Sequence, residues 1–135
     1  MNRILIDTSV WIDFFNSTNL SPETEILRQL ITDNQSIYLC PIIYQEILQG
    51  IRNDQTFEYI REILLDFEMI DFTWMETTDK AIEIYRTLRK KGITIRKSND
   101  CLIAAYAILA DVRILYKDRD FTQIAKGYNL KIFQL

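Results

Sequence analysis

The chain has 135 residues, 19 acidic against 16 basic side chains, a net charge of −3 and no histidine. The missing histidine excludes Ser-His-Asp and Cys-His catalysis in their usual forms, and it excludes His-based zinc sites. Hydrophobic residues make up 48% and charged residues 26%, as in ordinary globular proteins. The length predicts one domain over residues 1–135, and any catalysis is expected to rest on carboxylates, hydroxyls, Lys or Tyr, or on a metal held by oxygen.

The sequence contains no pattern typical of a targeting or membrane segment. No apolar run approaches the roughly 20 residues needed to cross a bilayer, and Met-Asn-Arg leads straight into an apolar strand without a signal-peptide core. The cysteines Cys40 and Cys101 lie far apart in apolar surroundings, which favours buried reduced thiols. We therefore expect a cytoplasmic protein with no membrane association.

Predicted strands alternate with predicted helices along the chain. Strands are expected at 4–6, 36–40, 69–72, 113–116 and 130–133. Helices are expected at 8–16, from Ser21-Pro22 to about 34, at 41–52, from a cap at Asp54 to about 67, at 78–91 with Gly92 as its stop, at 101–110 and at 119–126. This alternation predicts an α/β fold, a three-layer α/β/α domain with a central parallel sheet of about five strands.

Two acids directly follow predicted strands. Asp7 ends the apolar run Ile4-Leu5-Ile6, and Asp118 follows the strand at 113–116. Each also precedes a helix, so helix capping is the structural alternative for both. In parallel α/β sheets, ligands bind beyond the carboxyl ends of the strands. If the two strands are neighbours, the two carboxylates lie within reach of one metal ion.

Asp100 and Glu46 are further candidates for the same site. Asp100 precedes the strongly apolar helix at 101–110, where capping is again the alternative. Glu46 falls at the margin of the apolar stripe of the helix at 41–52, where an unpaired carboxylate is costly. A buried salt bridge or a side chain that reaches solvent is the structural alternative for Glu46.

A cluster of carboxylates implies a hard divalent cation that neutralises their repulsion. Mg²⁺ and Mn²⁺ prefer oxygen ligands and take one or two carboxylates directly. Such a cation lowers the pKa of a bound water and stabilises charge on a phosphoryl oxygen, which requires no histidine. Thr8 or Ser9 is placed to hold that water through a hydroxyl.

A basic segment lies between Glu83 and Asp100 and contains no acid. A solvated helix end is one interpretation, because basic side chains favour helix C-termini. Phosphate steering toward Asp100 is the other. The candidate nucleic-acid-binding residues are Arg86, Arg89, Lys90, Lys91, Arg96 and Lys97.

Four short segments match the motifs of a known family in order and spacing over essentially the whole chain. They are Asp7-Thr8-Ser9-Val10-Trp11-Ile12-Asp13, Tyr44-Gln45-Glu46-Ile47-Leu48-Gln49-Gly50, Gly92-Ile93-Thr94-Ile95-Arg96 with Asn99-Asp100-Cys101-Leu102-Ile103-Ala104-Ala105, and Lys117-Asp118-Arg119-Asp120-Phe121. This set resembles the PIN-domain ribonucleases, in particular the VapC-type toxins of bacterial and archaeal toxin–antitoxin pairs.

The resemblance implies a Mg²⁺- or Mn²⁺-dependent endoribonuclease. Catalytic and metal-binding roles carry over to Asp7, Glu46, Asp100 and Asp118, with Asp120 as the alternative to Asp118 and with Thr8 as a hydroxyl support. No role carries over to Asp13, which is expected on the exposed side of the first helix.

The resemblance also implies the partners. RNA is the substrate, a cognate antitoxin is the inhibitor, and a homodimer is expected. DNA binding is expected of the antitoxin and not of this chain. The antitoxin is expected to lay an apolar segment into a groove between helices, with the helix that carries Phe57, Tyr59 and Phe67 as a candidate wall.

Four alternatives compete with this hypothesis. An aspartate phosphotransferase requires a second Asp two residues after Asp7, where this chain has Ser9. A receiver domain requires adjacent acids near the first strand and a phosphoacceptor Asp after a middle strand, and we find neither. A metal-dependent phosphohydrolase of another α/β family is the third alternative. A PIN-fold interaction module with weak or no activity is the non-enzymatic alternative, and the presence of all four acids argues against it.

Overall fold

The computed structural model describes residues 3–16 and 21–134, and within them four strands alternate with seven helices. The strands are β1 (Arg3–Ile6), β2 (Ser36–Leu39), β3 (Glu68–Met69) and β4 (Arg113–Leu115). The helices are α1 (Thr8–Phe15), α2 (Pro22–Thr32), α3 (Pro41–Gln49), α4 (Asp54–Leu65), α5 (Trp74–Lys90), α6 (Ser98–Ala110) and α7 (Arg119–Gly127).

All strand pairs in the sheet are parallel, and the strand order is β3-β2-β1-β4. The central strand β1 pairs Leu5 with Tyr38 of β2 and with Ile114 of β4. Ile4, Leu5 and Ile6 are fully buried, as expected for a strand covered on both faces. The carboxyl ends of β1 and β4 are therefore neighbours, which is the arrangement that a shared site requires.

The sheet has four strands, so the prediction of about five was wrong. The segment at 130–133 forms only an isolated parallel bridge between Ile114 and Ile132. The N–H of Ile114 donates to Lys131 O at 3.1 Å, and the N–H of Phe133 donates to Ile114 O at 2.9 Å. β4 is only three residues long, and the backbone groups of its two end residues point toward β1. Only the backbone N–H and C=O of Ile114 therefore point away from β1, where they bond to the segment at 130–133.

Several helix starts differ from the predictions because a nearby polar residue caps better. Asn53, not Asp54, caps α4 and accepts the N–H of Thr56 at 2.8 Å. Thr73 caps α5 and exchanges hydrogen bonds with Glu76, so α5 begins four residues before the expected start at 78. The end of α5 is as predicted: Gly92 has φ +78°, and Ile93 N donates to Leu88 O at 2.9 Å.

In the hydrophobic core the sheet packs against α1, near the start of the chain, and against α6, near its end. Trp11 of α1 is fully buried, with ring centroids 5.7 Å from Phe15 and 5.2 Å from Phe67. Most of α6 is buried around its axis, including the free thiol of Cys101. These two helices begin at the same sheet edge, so their first residues are held rigidly.

None of the helices in residues 3–16 and 21–134 combines the length and the apolar character that a bilayer span requires.

Candidate metal centre

A cleft opens at the carboxyl ends of β1 and β4 and has a volume of about 330 Å³. The two strand ends are joined by a hydrogen bond from Asp7 N to Leu115 O of 2.9 Å. Four of the predicted acids lie in its wall. The lining residues are Asp7, Thr8, Ser9, Ile12, Glu46, Gln49, Lys97, Asp100 and Asp118.

Asp7 caps α1 and also lines the cleft. Its Oδ2 accepts the N–H of Ser9 at 3.3 Å and the hydroxyl of Ser9 at 2.8 Å. Burial raises the pKa of Asp7 to about 6, although the hydrogen bonds from Ser9 and Thr8 pull it down. Since capping uses Oδ2, the capping role and a role for Oδ1 in the cleft are compatible.

Asp100 lies inside the first turn of α6 and does not cap it, so the capping alternative is wrong and the helix begins before the predicted start at 101. The helix begins at Ser98, and Lys97 occupies the cap position without a side-chain hydrogen bond. Asp100 is 5% exposed, and its Oδ2 is buried without a hydrogen-bond partner among the described residues. Burial, together with the charges of Asp118 and Asp7, raises the pKa of Asp100 to about 8.

Glu46 reaches the cleft from α3 and is half-buried. Its Oε1 accepts the hydroxyl of Thr8 at 2.6 Å, and its Oε2 lies 3.5 Å from the amide nitrogen of Asn99. Within the described ranges no ion pair to Glu46 is present. The buried salt bridge considered from the sequence is therefore absent there.

Asp118 and Asp120 both belong to the cluster. Carboxylate oxygens of Asp100, Asp118 and Asp120 lie within 4.8 Å of one another. Asp118 caps α7, accepting the N–H of Asp120 at 3.0 Å. Asp120 is 3% exposed, and its Oδ2 is also buried without a partner among the described residues. The structure brings both acids to the site and leaves the choice between them open.

Two of the six candidate RNA-binding residues contact the acids directly. Lys97 Nζ lies 2.7 Å from Asp118 Oδ2, and Arg96 Nε lies 3.4 Å from Asp120 Oδ1. Burial favours a higher pKa for Asp118, but the N–H of Asp120 and the charges of Lys97 and Arg96 outweigh it, so its pKa is lowered.

The other four basic residues lie on or just after α5. Arg86 lines a groove against α6, and Arg89 lies 5.8 Å from the ring centre of Tyr85. Lys90 is exposed, while Lys91 Nζ donates to Gly127 O at 2.6 Å. The basic segment is thus divided between the cleft and the α5 surface.

The residues present fit a divalent cation. The donor set consists of oxygen atoms only, as Mg²⁺ and Mn²⁺ prefer. Two buried carboxylate oxygens, Asp100 Oδ2 and Asp120 Oδ2, have no hydrogen bond among the described residues. The raised pKa values of Asp7 and Asp100 reflect charge that is buried without compensation, and a bound cation would compensate it.

Two contacts near the site were not predicted. Asn99 holds Glu46, and its position directly before Asp100 was the only signal in the sequence. Asp13 forms an ion pair with Lys117 instead of lying free on the surface, and its side chain is 14% exposed. This pair ties α1 to the segment that carries Asp118.

Comparison with known proteins assigns the class. Residues 4–127 match the model of the PIN domain. The chain therefore belongs to the PIN domain family.

The chain is also similar to individual proteins, one by sequence and two by fold. The chain is 37% identical to Ribonuclease VapC11 of Mycobacterium tuberculosis over 128 residues, which covers 95% of this chain and 96% of that protein. By fold it is similar to VapBC2 from Rickettsia felis, solved bound to a DNA fragment from their promoter, with a TM-score of 0.76, 20% identity and 98% coverage of both chains. It is also similar to a toxin–antitoxin complex from Klebsiella pneumoniae, with a TM-score of 0.68, 19% identity and coverage of 87% and 89%.

Proposed function

We propose that this protein is a Mg²⁺- or Mn²⁺-dependent endoribonuclease and the toxin of a VapBC-type toxin–antitoxin pair. The observation that carries the proposal is the convergence of Asp7, Glu46, Asp100 and Asp118 on one cleft of a PIN-domain chain. The similarity to VapC ribonucleases supports an RNA-cleaving hydrolase. We further propose that residues 1–135 form one such domain and that it acts in the cytoplasm.

Asp7 and Asp100 are the principal cation ligands in this proposal, and Glu46 and Asp118 complete the set, with Asp120 as the alternative to Asp118. A divalent cation bound there would activate a water molecule for attack on phosphorus and would neutralise charge on the phosphodiester. The hydroxyl of Thr8 donates to Glu46 Oε1 at 2.6 Å and so fixes the orientation of that carboxylate. Ser9 fixes Asp7 in the same way, which preorganises the acids.

The proposed antitoxin site is a second groove beside the cleft. It has a volume of about 220 Å³ and lies between α1, α3 and α4. Its lining includes Ile12, Phe15, Ile47, Ile51 and Ile60, and Ile12 also lines the acidic cleft. An apolar segment seated there would reach the acids and block them. Of the predicted wall, α4 lines this groove through Ile60 and not through its aromatic residues. Tyr59 is 67% exposed, whereas Phe57 and Phe67 pack on the core.

The remaining partner assignments are proposals of the same kind. We propose that phosphates of RNA bound in the cleft contact the basic residues of α5, notably Arg86 and Arg89. A homodimer is proposed from the family resemblance.

The experiment that tests the proposed function compares RNA cleavage by the wild type and by Asp7→Asn. We expect cleavage with Mg²⁺ or Mn²⁺, none with EDTA, and a loss of at least about 100-fold in the variant, as for removal of a metal ligand. Asp54→Asn, which changes an exposed acid outside the cleft, is the matched control and should keep full activity. Undiminished cleavage in EDTA, or by Asp7→Asn, would contradict the proposal.

A further inference from the structure

The acidic cluster is divided into two halves by its cationic partners. On one half, Lys97 Nζ lies 2.7 Å from Asp118 Oδ2 and Arg96 Nη2 lies 3.6 Å from Asp118 Oδ1. Arg96 Nε also lies 3.4 Å from Asp120 Oδ1. These two carboxylates are 12% and 5% exposed, so both basic side chains neutralise acids that are largely removed from water.

The other half has no such partner. Within residues 3–16 and 21–134, Asp7, Glu46 and Asp100 form no ion pair with Lys or Arg. Asp100 Oδ2 is buried and accepts no hydrogen bond from the described residues. Among the described residues, these three acids of the cluster therefore lack a basic side chain in ion-pair contact.

The backbone keeps the two basic residues beside the acids. Ile95 is 4% exposed and anchors the segment in the core, and Lys97 occupies the cap position of α6. The N–H of Asp100 donates to Lys97 O at 3.0 Å, so the backbone of Lys97 is fixed beside Asp100. The two basic side chains themselves remain 64% and 60% exposed.

The formal charges explain what this arrangement achieves. Arg96 and Lys97 together carry the charge of one divalent cation. The two side chains and one Mg²⁺ together carry the same positive charge as two Mg²⁺ ions. One Mg²⁺ therefore leaves the acidic cluster with the net charge that two Mg²⁺ ions would give it without these side chains.

We propose that Arg96 and Lys97 act as a built-in counter-cation for Asp118 and Asp120, so that the protein binds one divalent cation, held principally by Asp7 and Asp100. The inference rests on the proposed cation site. It assigns these two residues a positioning role inside the cleft instead of a place in the RNA-binding surface of α5.

Equilibrium binding of Mn²⁺ alone, measured by calorimetry and by the electron paramagnetic resonance of free Mn²⁺, tests the proposal without any activity assay. We expect one Mn²⁺ per wild-type chain and two per chain in R96Q/K97Q, since the variant frees the oxygens of Asp118 and Asp120, which lie within 4.8 Å of each other and of an oxygen of Asp100. The matched control R89Q/K90Q removes the same charge from the exposed surface of α5 and should bind one. Because both substituted side chains in the test variant are mostly exposed, circular dichroism should show an unchanged fold.

The outcomes separate this inference from the proposed function. Two Mn²⁺ ions per wild-type chain, or one per chain in R96Q/K97Q whatever its affinity, would overturn the counter-cation and leave the metal-dependent nuclease intact. Absence of Mn²⁺ binding in the wild type would overturn both.

Discussion

At the scale of single residues, two acids of the cleft combine a structural role with their proposed function. Asp7 caps α1 through Oδ2, and Asp118 caps α7 through Oδ1. The sequence patterns predicted both caps correctly, and capping is compatible with the proposed role of these acids in the cleft. The ion pairs of Arg96 and Lys97 were not predictable, because they join residues that are 24 and 21 positions apart in the chain.

The raised pKa of Asp100 predicts that the metal-free protein loses stability as pH rises. The folded state holds the proton up to about pH 8, whereas the unfolded chain releases it near 4. Between these values the folded state binds more protons, so the free energy of unfolding falls with rising pH. Asp100→Asn removes this loss, and urea denaturation in EDTA at pH 8 should show a gain on the order of 2 kcal/mol, with little change near pH 4.

Asp118→Asn is the control with the opposite sign. The pKa of Asp118 is lowered, burial notwithstanding, by the N–H of Asp120 and by Lys97 and Arg96, so its ionised form stabilises the folded state. Asp118→Asn removes this ionised carboxylate and should therefore lower the free energy of unfolding at pH 8. Equal destabilisation by Asp100→Asn and Asp118→Asn at pH 8 would contradict the assigned electrostatics.

At the scale of secondary-structure elements, strong local signals predicted the order of strands and helices, and the errors lie at their ends. Ser21-Pro22 and Gly92 mark their helix ends as predicted. The start of α6 at Ser98 was missed because no side chain caps it, and its placement follows from packing. The prediction of a fifth strand at 130–133 was wrong because the local β pattern does not indicate how short the neighbouring strand β4 is.

The packing of α7 on α5 predicts an intolerant glycine. A Cβ at Gly127 would lie 2.5 Å from Leu88 Cδ2 and 2.9 Å from Ile93 Cδ1, and Leu88 is fully buried. Gly127→Ala should therefore destabilise the protein by about 1–3 kcal/mol, as overpacking does. Urea denaturation measures this.

Gly50→Ala provides the comparison for that measurement. A Cβ at Gly50 meets only carbonyl oxygens at 3.7 Å, and its backbone is right-handed helical. It should be neutral or slightly stabilising. A neutral Gly127→Ala would show that α7 moves away from α5 at little cost.

At the scale of the whole molecule, topology makes the site. Four acids that are far apart in the chain meet because β1 and β4 are parallel neighbours and because α3 and α6 begin at the same edge. The order of the motifs predicted this convergence, but periodicity alone did not show that β1 lies beside β4. The same convergence buries carboxylates that repel one another, which costs free energy of folding. We attribute the presence of these acids, despite that cost, to cation binding.

Anomalous diffraction from a crystal grown with Mn²⁺ tests the proposed metal centre most directly. We predict one Mn²⁺ peak in the cleft, between the carboxylates of Asp7 and Asp100, and no peak in a crystal of Asp100→Asn. A cleft without Mn²⁺ at a saturating concentration, in a crystal whose acids are arranged as described, would contradict the proposed metal centre.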